Sequence, residues 1–98
     1  MVREIKWTKE SVESFESIIQ YLEENWSENE IERFVKISTR VIQFIAEQPM
    51  MFRKTNRKNV REAVVLPQVL LIYKVSKTHI DLISFWDTRQ HPVTKPSK

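Results

Sequence analysis

The chain has 98 residues with no glycine and no cysteine, and 16 basic against 13 acidic side chains leave a formal net charge of +3. A chain of this length makes one domain and buries roughly 65% of the surface that its unfolded form exposes, enough for a single core. Without cysteine there is no disulfide, thiolate zinc site or cysteine nucleophile, and without glycine no Walker loop, dinucleotide fingerprint, nucleophile elbow or calcium loop.

Val2 to Trp7 alternates, with Ile5 and Trp7 on one side, and predicts a short first strand. Thr8 offers an N-cap and Glu10 puts negative charge in a first helical turn. Val12, Phe15, Ile18, Ile19 and Leu22 then recur at helical spacing, while Glu13, Glu16, Glu23 and Glu24 mark a wet, acidic opposite face. A helix over about 9–25 is predicted. Ser27-Glu28-Asn29-Glu30 reads as a capping box, with Trp26 placed to pack back on Ile31. The stripe Ile31, Phe34, Val35, Ser38, Val41, Ile42, Ile45 carries a second helix to about Gln48, where Pro49 ends it. So short a link makes the two helices an antiparallel hairpin.

Residues 49–58 read as a basic loop, and Val60 to Leu66 as a strand rich in valine. Val69 to Val75 is apolar on both faces, as a central strand is. Pro67-Gln68 between them excludes a primed two-residue turn and predicts a type I turn in a slightly longer loop. Ser76-Lys77-Thr78 makes the next turn, His79 to Trp86 the last strand, and the chain after Asp87 is polar and carries Pro92 and Pro96. The order is β-α-α-β-β-β: an α+β domain of two layers, a helical hairpin packed on an antiparallel sheet. The domain is placed at 1–92 and a polar tail at 93–98.

The longest apolar run, Val69 to Tyr73, falls far short of the ~20 residues that span a bilayer, and Arg3 and Lys6 precede no apolar signal segment. The expectation is a cytoplasmic domain with no membrane partner. Two histidines, His79 and His91, stand twelve apart without paired carboxylates, so no metal site is expected. The charge is unevenly divided. Residues 1–48 hold six basic and ten acidic side chains, whereas residues 49–98 hold ten basic and three acidic ones. Arg53, Lys54, Arg57, Lys58 and Arg61 put five cations into nine residues with no acid among them. Such a run draws in a polyanion or an acidic partner, or is a solvated loop.

Several segments together resemble one family, the RelE/ParE superfamily of toxins from bacterial toxin–antitoxin pairs. Trp7 closes the first strand, Ile18-Ile19-Gln20-Tyr21-Leu22 looks like an "I..YL" helix segment, and Pro49 follows the second helix. Val60-Arg61-Glu62-Ala63-Val64 is similar to a "vR..vv" strand and Leu71-Ile72-Tyr73-Lys74-Val75 to a "liY.v" strand. Phe85-Trp86-Asp87-Thr88-Arg89-Gln90-His91-Pro92 looks like the "ifd.R.nP" ending of the plasmid-stabilisation branch. The resemblance covers about residues 3–92.

Family members of the RelE-like branch cleave mRNA on the ribosome without a metal, while ParE-like members poison DNA gyrase by binding it. For cleavage the resemblance implies Arg61, Arg89 and His91 as the catalytic candidates, and no cofactor in either branch. Ala63 and Leu70 stand where further cations would be wanted, and no second base is evident beside Arg61, Arg89 and His91. The ParE-like reading is therefore preferred. The alternatives are an mRNA endonuclease or an inactive relative. Arg53, Lys54, Arg57 and Lys58 are the candidate contacts to target or nucleic acid. A cognate antitoxin is the implied partner, in a toxin–antitoxin hetero-oligomer. It is expected to use Leu70, Ile72 and Ile83 as an apolar groove on the uncovered sheet face.

Overall fold

The structure, a computed structural model, describes residues 2–88. Its elements are β1 (Glu4–Trp7), α1 (Lys9–Asn25), α2 (Glu28–Glu47), a 3-10 turn (Pro49–Met51), β2 (Arg53–Lys54), β3 (Val60–Leu66), β4 (Val69–Val75) and β5 (His79–Asp87). The helices and the last three strands fall where periodicity placed them. The five strands form one sheet in the order β1-β5-β4-β3-β2.

Two features correct the expected antiparallel sheet of four strands. First, β1 joins β5 in parallel, with Ile5 beside Ile80 and Trp7 beside Leu82, so the sheet is mixed. The helical hairpin carries the chain from β1 at one edge of the sheet to β2 at the other, and the strands that follow run back until β5 lies beside β1; a parallel neighbour requires such a crossover. Second, Arg53 and Lys54 are not loop: they pair antiparallel with Glu62 and Arg61 as an edge strand. A two-residue, wholly basic strand has no alternating apolar pattern by which sequence could reveal it.

Local signals act as follows. The Thr8 hydroxyl accepts from the Ser11 amide at 3.1 Å, capping α1, and donates to the Leu82 carbonyl at 2.7 Å, which fastens the helix start to β5. The capping box at Ser27 does not form: its side chain makes no cap hydrogen bond, and the Ser27 backbone carbonyl takes the Glu30 amide. Pro67-Gln68 is a two-residue connection after all, since Leu66 pairs directly with Val69. Only Asn59 among the described residues has positive φ, so the turn is not of a primed type. The twist that such a turn fails to supply is taken up by the register shift between Val64 and Leu66.

Helix α1 lies on β5 and α2 on β3. The core between the layers holds Ile18, Leu22, Phe34 and Ile45 from the helices against Ala63, Leu71, Tyr73, Ile80, Leu82 and Phe85 from the sheet. Phe15 sits 5.1 Å from Phe34 and 5.0 Å from Phe85 between ring centroids, and Trp7 stacks on Phe85 at 5.8 Å. Aromatic contacts thus bind β1, both helices and β5 at one end of the domain. At the other end, α2, the 3-10 turn and β2–β3 meet, and there the basic residues gather.

Candidate functional site: a cationic cleft beside the third strand

Pro49 stops α2 and starts the 3-10 turn, so the chain swings back to lay Arg53 and Lys54 along β3. Two side chains from the sheet hold this swing in place. The Tyr73 hydroxyl donates to the Pro49 carbonyl at 2.7 Å. The Arg61 Nη1 donates to the carbonyls of Met50 at 3.0 Å and Phe52 at 2.8 Å. Tyr73 and Arg61 can share this task because they are directly paired across β4 and β3. Burial pushes the Tyr73 phenol well up from its ordinary value, and the Arg61 charge only partly opposes this. Tyr73 is therefore a neutral donor in the core, with the Phe52 ring edge-on to it at 6.3 Å.

The turn from β2 to β3 is also built rather than loose. The Thr55 hydroxyl accepts from the Arg57 amide at 3.1 Å and donates to the Val60 carbonyl at 2.9 Å. Asn59 closes the turn with φ of 64°, a left-handed conformation that asparagine tolerates better than most residues. A cleft of about 480 Å³ results, lined by Met50, Lys54, Thr55, Asn56, Arg57, Lys58, Asn59, Val60 and Arg61. Among the described residues neither a carboxylate nor a histidine lines it.

Of the five cations read as one run, four meet in this cleft. Arg53 does not. Its Nε donates to Glu62 Oε1 at 2.9 Å, and strand alternation sets Glu62, opposite Ile72, on the other face from Arg61, opposite Tyr73. Arg61 is present, but its guanidinium is engaged with backbone carbonyls. Arg89 and His91 lie outside the described residues.

The expected apolar groove also needs correction. Leu70 and Ile72 do face away from the helices, yet they are only 8% and 3% exposed, and Ile83 is half-buried. In the sheet Leu70 is paired between Val64 and Trp86, and Ile72 between Glu62 and Ser84. The exposed apolar residue of that face is Val64, at 56%. Sequence reasoning also missed Arg3 and Lys77. They line a second cleft of about 230 Å³ with Met50, Asn59, Val75 and Ser76, adjoining the first. No local signal links residues so far apart in the chain.

Among the described residues no group of three or more His, Asp or Glu side chains is placed to hold a metal ion, and no helix is long and apolar enough to cross a membrane.

A helical hairpin on a five-stranded mixed sheet is the architecture of the RelE/ParE-like toxins, and solved structures of that class superpose on it. A chromosomal ParDE toxin–antitoxin system from P. aeruginosa matches with a TM-score of 0.73 at 12% identity, covering 88% of this chain and 96% of the other. The YoeB dimer from Staphylococcus aureus matches with a TM-score of 0.63 at 16% identity, over 88% and 97%. The E. coli DinJ–YafQ toxin–antitoxin complex matches with a TM-score of 0.63 at 12% identity, over 92% and 97%. At these identities the likeness establishes the fold. No curated protein sequence is significantly similar to the chain. The family model described as the ParE toxin of the type II toxin–antitoxin system, parDE, matches residues 5–92, and the chain belongs to that family.

Proposed function

We propose that this toxin acts by binding DNA gyrase rather than by cutting RNA, and that a cognate antitoxin neutralises it. The observation that carries the reading is the engagement of Arg61. Metal-free RNA cleavage needs a base for the 2′-hydroxyl, cations for the charged phosphorane and an acid for the leaving oxygen. The guanidinium best placed on β3 for such work is held by the Met50 and Phe52 carbonyls instead. The next residue on its face, Ala63, is only 1% exposed in the core and brings no cation, and among the described residues no carboxylate or histidine lines the cleft beside Arg61. The match to a ParE family model points the same way. A bound partner is supported by the solved S. aureus YoeB–YefM and E. coli DinJ–YafQ complexes, in which toxins of this fold are held by their partners.

The deciding experiment sets the purified chain against gyrase in a supercoiling assay and, separately, against ribosomes programmed with mRNA. Inhibited supercoiling with intact mRNA is the expected result. Ribosome-dependent cleavage that His91→Ala or Arg89→Ala abolishes in a folded protein would return the catalytic role to Arg61, Arg89 and His91.

A further inference from the structure

We propose that the two adjoining clefts on either side of Met50 and Asn59 form one cationic surface that grips the phosphodiester backbone of double-stranded DNA. The gyrase reading requires no DNA contact from the toxin, so this inference goes beyond it and stands or falls separately.

Four side chains of the first cleft are cationic, Lys54, Arg57, Lys58 and Arg61, and the second adds Arg3 and Lys77. No carboxylate among the described residues lines either cleft. These six cations come from separate parts of the chain: the approach to β1, β2, the β2–β3 turn, β3 and the β4–β5 turn. Two of them have structural tasks, since Arg3 donates through Nε to the Ser76 carbonyl at 3.0 Å and Arg61 holds the 3-10 turn. The other four, Lys54, Arg57, Lys58 and Lys77, enter no ion pair among the described residues. The nearest acid along the chain, Glu62, is held on the opposite face by Arg53. Like charges gathered without acids oppose folding by self-repulsion, and a polyanion relieves that cost.

The occupant follows from what else lines the surface. Thr55, Asn56 and Asn59 add neutral polar groups of the kind that accompany lysine and arginine on phosphate oxygens. The turn bearing Arg57 and Lys58 is fixed by the Thr55 hydrogen bonds, so the charges stand on a defined frame. No aromatic side chain among the described residues lines either cleft, and a stacking platform is what single strands use. The lining also lacks the desolvated aromatic pocket on which a tight protein interface depends. Backbone contact to a duplex needs neither.

The test measures anisotropy of a fluorescein-labelled, mixed-sequence DNA duplex titrated with the full chain between about 50 and about 200 mM salt. If the four unpaired cations each displace one counterion, log K falls with log salt at a slope of at least about −3.6. Changing Lys54, Arg57, Lys58 and Lys77 together to Gln should make that slope shallower by about 3.6 and weaken binding on the order of tenfold or more at 100 mM salt. Should the fourfold variant not fold, the triple change at the exposed Lys54, Lys58 and Lys77 should still flatten the slope by about 2.7. Lys9→Gln with Lys36→Gln, on the helical layer, should leave it unchanged. Absence of binding at the lowest salt overturns the proposal, as does a slope that these variants do not alter. Tighter binding to poly-glutamate than to duplex would overturn it in favour of an acidic protein, and tighter binding to a single strand would overturn it in favour of unpaired nucleic acid. Loss of gyrase inhibition with duplex binding intact would count against the gyrase reading alone.

Discussion

The Tyr73 hydroxyl, from the middle of β4, donates at 2.7 Å to the carbonyl of Pro49, the residue that ends α2. One hydrogen bond thus ties the most buried strand to the point where the chain turns back towards the basic edge. It also explains why a tyrosine occupies a position where the helical layer leaves it fully buried: the ring fills the core and the hydroxyl satisfies an otherwise enclosed carbonyl.

Replacing Tyr73 by Phe keeps the ring and orphans the Pro49 carbonyl. A loss of about 1–3 kcal/mol in urea unfolding is expected. The wild-type protein should also respond to alkali in its own way. Its folded phenol is held above the ordinary value of 10.0, so the neutral form is favoured on folding. The resulting stability is fully present below pH 10 and is lost as pH rises beyond it, through the folded-state value. The gap between wild type and Tyr73→Phe should therefore narrow above pH 10, and a constant gap would show that the phenol does not titrate in this way.

Arg61→Gln removes the charged donor to Met50 and Phe52. Since such hydrogen bonds contribute about 1.5–3 kcal/mol, a loss in that range is expected. Native-state hydrogen exchange should quicken first around residues 49–54, because that segment loses its clasp while the main core keeps its packing. Uniform acceleration across all strands would refute a local role.

Thr8 serves two elements through one hydroxyl. Thr8→Ala should cost about 1–2 kcal/mol in chemical denaturation, because the cap is lost and the Leu82 carbonyl keeps only its longer bond, 3.4 Å, from the residue 8 amide. Thr8→Ser should retain most of the stability. If serine proves as damaging as alanine, the methyl group and not the hydroxyl is what matters.

Phe34 is 0% exposed and stacks on Phe15 while lying edge-on to Phe85 at 6.0 Å. Truncation to Ala leaves a cavity where α2 meets the sheet and should cost about 3–5 kcal/mol. Phe34→Leu should cost clearly less, and thermal melting of the pair tests the ranking.

Much of this protein was legible in its sequence because the relevant physics is local. The apolar stripes of α1 and α2 follow the 3.6-residue period, Pro49 cannot continue a helix, and Val69 to Val75 is apolar on both faces, so every element but β2 and the 3-10 turn, and their order, required no tertiary information. The basic run from Arg53 to Arg61 was equally plain, and it does flank the principal cleft. What each of its members does was decided only by pairing in space. A two-residue strand beside β3 turns Arg53 to Glu62, while the hydrogen bonds of Arg61 engage it with carbonyls eleven and nine residues away. Leu70 and Ile72 are buried in the folded sheet on a face that composition alone would leave open. The same long-range pairing puts β1 parallel to β5 and carries Arg3 and Lys77 to the edge of the basic turn. Charge is written along the chain, but electrostatic potential belongs to the folded surface, because it depends on which charges the sheet brings within a few ångströms of one another.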